Sequence, residues 1–282
     1  MLPTSIDDPP TQKYLLESLS DRDRLYLMFD LLHDSFLDDV GRALGYAGKS
    51  LHPDADFRLL DGACGEGLHA AEIGKHHPRA EVVAFDRDPE AMQTAPLAFA
   101  QPNVRYLLHD AQEPLPADVT RGFDVAQLRF CLTHLTDPLR ALGHLRDALR
   151  PGGVLYLIDP RADAFDYDHP SMRVLSDAIM RSWEHFGTSA AGERQAPLLA
   201  QAGFEILDSA PQDHVAGGTT EHGKGIMKLI IETARSTRKA LVETTKLISG
   251  DEFDEHLRRL ALPENPPRVG RCRFQVTFAR NP

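Results

Sequence analysis

Between residues 57 and 159 the chain alternates short apolar runs with helix-patterned segments, and this alternation constrains its fold more than any other feature. The runs are "FRLL" (57–60), "EVVAFD" (81–86), "VRYLL" (104–108), "FDVAQL" (123–128) and "GVLYLID" (153–159), each of strand length. The clearest helical segment between them is "TDPLRALGHLRDALRPGG". There Asp137 is placed to cap, Pro138 fits the first turn, Leu139, Leu142, Leu145 and Leu149 share a face, and Pro151 and Gly152 stop the helix. Strands that alternate with helices predict a parallel sheet covered on both faces, with ligands beyond the carboxyl ends of the strands. "GFEILDSA" (203–210) and "RCRFQVTFAR" (271–280) add two more strands, the last alternating at period two. The expected fold is α/β, a seven-stranded, mostly parallel, doubly wound sheet.

The remainder reads as additions to that core. Residues 1–48 are expected to form a helical cap, 49–160 the ligand-binding core, and 161–192 an irregular polar and aromatic insertion on the substrate side. The core continues through 193–216, a helical lid or dimer element spans 217–266, and 267–282 close the sheet. Composition narrows the partners. With 42 acidic against 31 basic residues the net charge is −11, which repels phosphate backbones and anionic lipid surfaces, so neither nucleic acid nor a membrane is expected as partner. No stretch approaches the ~20 apolar residues of a membrane span, and "MLPTSIDDPPTQKY" lacks the basic start and apolar core of a signal peptide. A cytoplasmic protein is the expectation. Cys64, Cys131 and Cys272 are distant from one another and odd in number, which suggests neither disulfides nor a zinc site, and no paired acids at ligand spacing argue for any metal.

The ligand is indicated by "RLLDGACGEGLHAAEIG" (58–74). Dense glycines between a strand and a helix mark backbone that approaches a ligand closely. A dinucleotide cradle presents G-x-G-x-x-G, whereas Gly62, Gly65 and Gly67 form G-x-x-G-x-G with Asp61 at the strand end. A nicotinamide cofactor is thereby disfavoured. The stretch resembles the first motif of the class I S-adenosylmethionine-dependent methyltransferases, (D/E)-x-G-x-G-x-G, with Asp61 as the acid and Ala63 in the place of the first glycine. That substitution is expected to be tolerated with negative φ at Ala63. An acid at the strand end and exposed N–H groups at the helix start match the ammonium and carboxylate of the cofactor's amino-acid tail.

Further motifs agree. Asp86 follows the second strand, 25 positions after Asp61, where an α/β nucleoside site sets a carboxylate against the ribose hydroxyls; Arg87 adjoins it. Asp110 and Ala111 follow the third strand, where the resemblance implies contact with the adenine. "RFCLTHLTDPLRALGHLRDALRPGG" is similar to the ubiquinone and menaquinone C-methyltransferase-like branch, with Arg129, Leu132, His134, Leu135, Asp137, Pro138 and then Leu149, Pro151, Gly152 and Gly153 in its pattern. The resemblance implies a Rossmann-like methyltransferase fold, in which Arg129 and Phe130 floor the cofactor pocket. It also implies an N-terminal arm, marked here by Tyr14, Leu16, Arg24 and Leu25, that closes over the site with Tyr14 on the cofactor carboxylate.

The expected activity is transfer of a methyl group from S-adenosylmethionine to a small, apolar or aromatic acceptor, with a homodimer as one possible assembly. The alternative from another class is a non-catalytic relative that binds the cofactor as a structural or regulatory ligand. Methyl transfer is an in-line displacement that needs alignment and dryness more than strong acid or base. Should the acceptor need deprotonation, His134 is the first candidate base, with His169, His185, His214 and His222 beside the expected cover. Tyr167, Trp183 and His222 are the candidate substrate contacts.

Overall fold

The computed structural model describes residues 19–119, 121–185, 191–217, 220–260 and 269–282. Seven strands form one sheet: β1 (Arg58–Gly62), β2 (Glu81–Asp86), β3 (Val104–Leu108), β4 (Phe123–Arg129), β5 (Leu149–Tyr167), β6 (Glu205–Gly217) and β7 (Val269–Arg280). Their order across the sheet is β3-β2-β1-β4-β5-β7-β6. β1 to β5 pair in parallel, whereas β7 lies antiparallel between β5 and β6.

Strand periodicity sorts the apolar residues onto two faces. Leu59, Val82, Ala84, Val125, Val154, Tyr156 and Ile158 enter one core. Leu60, Val83, Phe85, Ala126, Leu128, Leu155 and Leu157 enter the other. The first face is covered by α1 (Leu19–Tyr46), α2 (Leu68–His76), α3 (Pro89–Ala98), α5 (Pro170–His185), α7 (Glu221–Ser236) and α8 (Gly250–Leu260), the second by α4 (Pro138–Ala148) and α6 (Ala191–Gln201). A sheet buried on both faces reads as continuous apolar runs, which is why its central strands were visible in the sequence.

Local signals were obeyed where backbone groups needed partners. Asp137 caps α4 by accepting from the Arg140 N–H at 3.0 Å, with Pro138 in the first turn. Leu149 is a correction: it opens β5 opposite Phe123 and leaves the buried face of α4 to Ala141, Leu142, Leu145 and Ala148.

The expectation of an irregular segment at 161–192 is also overturned. β5 runs on to Tyr167 beside β7, and α5 follows almost at once. Charge concealed the strand. Asp163 pairs with Arg273 at 2.7 Å, Asp166 with Arg271 at 3.3 Å, and Arg273 reaches Asp213 on β6 at 2.7 Å. These residues look like loop material singly, and cross-strand pairing makes them compatible with sheet. β6 extends past its expected end at residue 210 for the same reason.

The 217–266 segment contains α7, a π-helical turn (Lys239–Thr244) and α8. Gly223 and Gly225 lie inside α7, and a Cβ at Gly225 would collide with Leu31 of α1. Ile226, Ile230, Leu241 and Phe253 belong to the same apolar cluster as α1 and the sheet. The described part of the segment, 220–260, belongs to the core and is not a detachable flap.

Candidate active site

A cavity of about 270 Å³ opens at the carboxyl ends of the central strands. One side is built from strand ends and the turns that follow them: Ala63, Gly65, Asp86, Arg87, Asp110 and Ala111. The opposite side is apolar, with Met28, Phe36, Trp183, Leu229 and Phe274 among its residues.

The turn after β1 brings backbone to the cavity. A Cβ at Gly62 would lie 2.7 Å from Leu128 Cδ2 and 2.9 Å from Phe85 Cζ, so this glycine is required by packing between strands and does not line the cavity. Ala63 has φ 52°, which corrects the expectation of negative φ and places an L-residue in the left-handed region. Gly67 caps α2 at φ 76° without a side-chain hydrogen bond.

Asp86 holds this loop. The Gly65 N–H donates to its Oδ2 at 2.8 Å and the Asp88 N–H to its Oδ1 at 3.0 Å, while Asp88 caps α3 by accepting from the Glu90 N–H at 2.8 Å. The carboxylate is buried, not pointed into solvent, and burial raises its pKa. The carboxylate keeps acceptor capacity for a ligand hydroxyl. Asp110 accepts from the Gln112 N–H at 2.8 Å and fixes the turn that presents Ala111.

Asp61, expected as a ligand contact, is fully buried and does not line the cavity. Its carboxylate pKa is raised by burial and lowered again by Arg129, which lies 3.4 Å away at the end of β4 and does line the cavity. Phe130 follows with φ 54° and stands edge-on to Phe36 and Phe274.

His134 lines the cavity from a 3-10 turn (Leu132–His134). Burial, with help from Arg87 and Arg24, pushes its pKa down to about 4, so the imidazole is neutral at physiological pH and a weak proton acceptor. Trp183 reaches the cavity from α5. His222 does not: it is exposed in the first turn of α7. Tyr14 and the side chain of Tyr167 lie outside the described residues.

Sequence reasoning missed His69, Cys64, Cys131, Phe36 and Thr233, all of which line the cavity. Leu229 and Ile230 sit in an apolar stripe at helical spacing, but nothing in a linear pattern shows that the stripe faces a cavity. His69 carries no local signal at all.

The fold is a doubly wound α/β sheet whose cavity opens beyond the strand ends, with a glycine turn after β1, an acid at the end of β2 and another after β3. A family model for a methyltransferase domain matches residues 20–209, and the chain belongs to that family. It is 33% identical over 170 residues to Methyltransferase str2 of Strobilurus tenacellus, covering 59% of this chain and 60% of the relative. With Trans-aconitate 2-methyltransferase of Deinococcus radiodurans it shares 30% identity over 168 residues, or 57% of this chain and 60% of the relative. The chain thus matches about 60% of the length of these curated relatives. The plantazolicin methyltransferase BamL, solved with a triazolic desmethyl analogue and S-adenosylhomocysteine, has the same fold at TM-score 0.55 and 11% identity, covering 96% of this chain and 94% of that one. Among the described residues no helix is long and apolar enough to cross a membrane.

Proposed function

We propose that this protein transfers a methyl group from S-adenosylmethionine to a small, apolar or aromatic acceptor. The observation that carries this reading is the division of the cavity into a polar wall of strand-end turns and an apolar wall from α1, α5, α7 and β7. The polar wall suits the cofactor. Asp86 offers lone pairs to the ribose, Asp110 and Ala111 border the adenine, and the glycine turn with Arg129 receives the amino-acid tail. The bound cofactor would supply an electrophilic methyl on a sulfonium.

What the chain contributes is alignment and exclusion of water. Phe36, Phe130, Trp183 and Phe274 leave an incoming acceptor little solvation, and their rings suit an apolar or aromatic molecule and a neighbouring cation. The neutral His134 can accept a hydrogen bond from an acceptor hydroxyl and orient it, but holds a proton poorly. In this reading residues 1–48, 161–192 and 217–266 supply the acceptor side and 49–160 the cofactor side. The net charge of −11 supports a small-molecule acceptor over a nucleic acid.

The test is incubation of the purified protein with S-adenosylmethionine and fractionated metabolite extracts, following S-adenosylhomocysteine release and methyl incorporation. Turnover with any fraction is the expected result and eliminates a purely structural or regulatory role for the cofactor. Tight cofactor binding without turnover across broad acceptor classes would favour that alternative.

A further inference from the structure

We propose that Asp61 is a positioning residue that acts through Arg129, and that Arg129 with His69 forms the carboxylate-binding end of the cofactor pocket. The inference rests on the cofactor reading above and assigns a division of labour within it. Asp61, near the end of β1, is fully buried and does not line the cavity. Its two contacts with Arg129 Nη2, at 3.4 and 3.5 Å, are longer than the 2.7–2.9 Å of a well-made charge-assisted bond. The guanidinium lies 5.3 Å over the Phe36 ring, and its Nε is buried without a partner among the described residues.

His69 stands beside it in the first turn of α2. It is 1% exposed, and both ring nitrogens are buried without partners among the described residues, yet it lines the cavity. Burial, Arg129 and His33 hold its pKa well below the ordinary histidine value, so the neutral ring presents one N–H donor. α2 starts here without a side-chain cap, leaving its first-turn N–H groups and the positive end of its dipole at the same place. Buried donors left unmatched are destabilising. An anion with several acceptor lone pairs matches all of them, and the anionic part of the cofactor is its α-carboxylate. Asp61 then holds the guanidinium at the angle that frees Nε for the ligand.

The experiment is calorimetry with two ligands, S-adenosylhomocysteine and 5′-methylthioadenosine, which share the adenosyl thioether and differ in the amino-acid tail. Arg129→Met should weaken S-adenosylhomocysteine by about 30- to 100-fold and methylthioadenosine by less than about 3-fold. His69→Phe should weaken the first by about 5- to 10-fold and spare the second. Arg129→Met alone strands a buried carboxylate, so the Asp61→Asn/Arg129→Met double variant is measured beside it, with folding checked by thermal melting. The double should bind no worse than Arg129→Met, since Asp61 has no contact of its own to lose. Equal losses for both ligands, unchanged S-adenosylhomocysteine affinity, or a further loss in the double would overturn the proposal. Failure of the wild type to bind either ligand would overturn the cofactor reading itself, a distinguishable result.

Discussion

Asp86 ends β2 with both carboxylate oxygens accepting backbone N–H groups, one of them from the glycine turn. Its removal therefore acts on ligand and loop together. Asp86→Ala is expected to weaken S-adenosylmethionine binding by roughly 1.5–3 kcal/mol, about 10- to 150-fold, and to lower stability by about 1–2 kcal/mol. Calorimetry and thermal melts read the two effects, and unchanged affinity would remove Asp86 from the ribose site. Ala63 gives a prediction of opposite sign. At φ 52° an L-residue is strained by roughly 1–2 kcal/mol, which glycine relieves while adding unfolded-state entropy. Ala63→Gly should raise stability by about 0.5 kcal/mol and Ala63→Val should lower it by more than about 1 kcal/mol, both measurable by denaturant titration. The motif residues Asp61, Gly62, Gly65 and Asp86 were legible because strand-end turns have local rules. Their division into ligand contacts and supports was not, because Asp61 and Arg129 meet across 68 positions of sequence.

At the scale of elements, α1 and α7 decide the acceptor wall. α1 is fastened to the sheet where the buried Tyr156 hydroxyl donates to Asp39 at 3.2 Å, and Arg42 reaches Asp208 of β6 at 2.6 Å while stacking on Phe278. α7 packs on α1 and contributes Leu229, Ile230 and Thr233 to the cavity. Replacing 218–264 by a short Gly-Ser connection would strip Ile226, Ile230, Leu241 and Phe253 from the main core. Losing even one such side chain is destabilising by about 2–5 kcal/mol. The shortened protein should therefore fail to fold, as a lost cooperative melt and an expanded hydrodynamic radius would show. A well-folded deletion that kept cofactor affinity would restore the detachable cover. Helical spacing in this segment was legible as burial, but the surface it buries against was not.

For the molecule as a whole, Asp159 ties stability to pH. It is fully buried in the middle of β5, accepting from the Leu132 N–H at 3.0 Å and from Gln195 Nε2 of α6 at 3.1 Å. Burial raises its carboxyl from the ordinary 3.8 to about 7. Between those values the folded state retains a proton that the unfolded chain has released, so this contribution to stability is full below about pH 4 and lost as pH rises through about 7. His134 has the opposite sign, since its lowered pKa favours folding above its ordinary value of 6.5. Asp159→Asn isolates the first effect. From pH 5 to 8 the wild type should lose about 1–3 kcal/mol relative to the variant, followed by melts at each pH. A constant difference across that range would mean that Asp159 is already ionised in the fold.

The sequence alone determined the seven strands, their doubly wound arrangement, the glycine turn and the acids after β2 and β3. Those features obey short-range rules: periodicity, capping, and the backbone geometry of a strand-to-helix turn. Tertiary structure decided the rest. It carried β5 on to Tyr167 through ion pairs with residues more than a hundred positions away, and it made residues 220–260 core instead of cover. It also buried Asp61 beside Arg129 and left the buried His69 ring on the cavity wall without partners among the described residues. Such outcomes depend on which surfaces meet once the chain closes on itself, and no local pattern of residues encodes that.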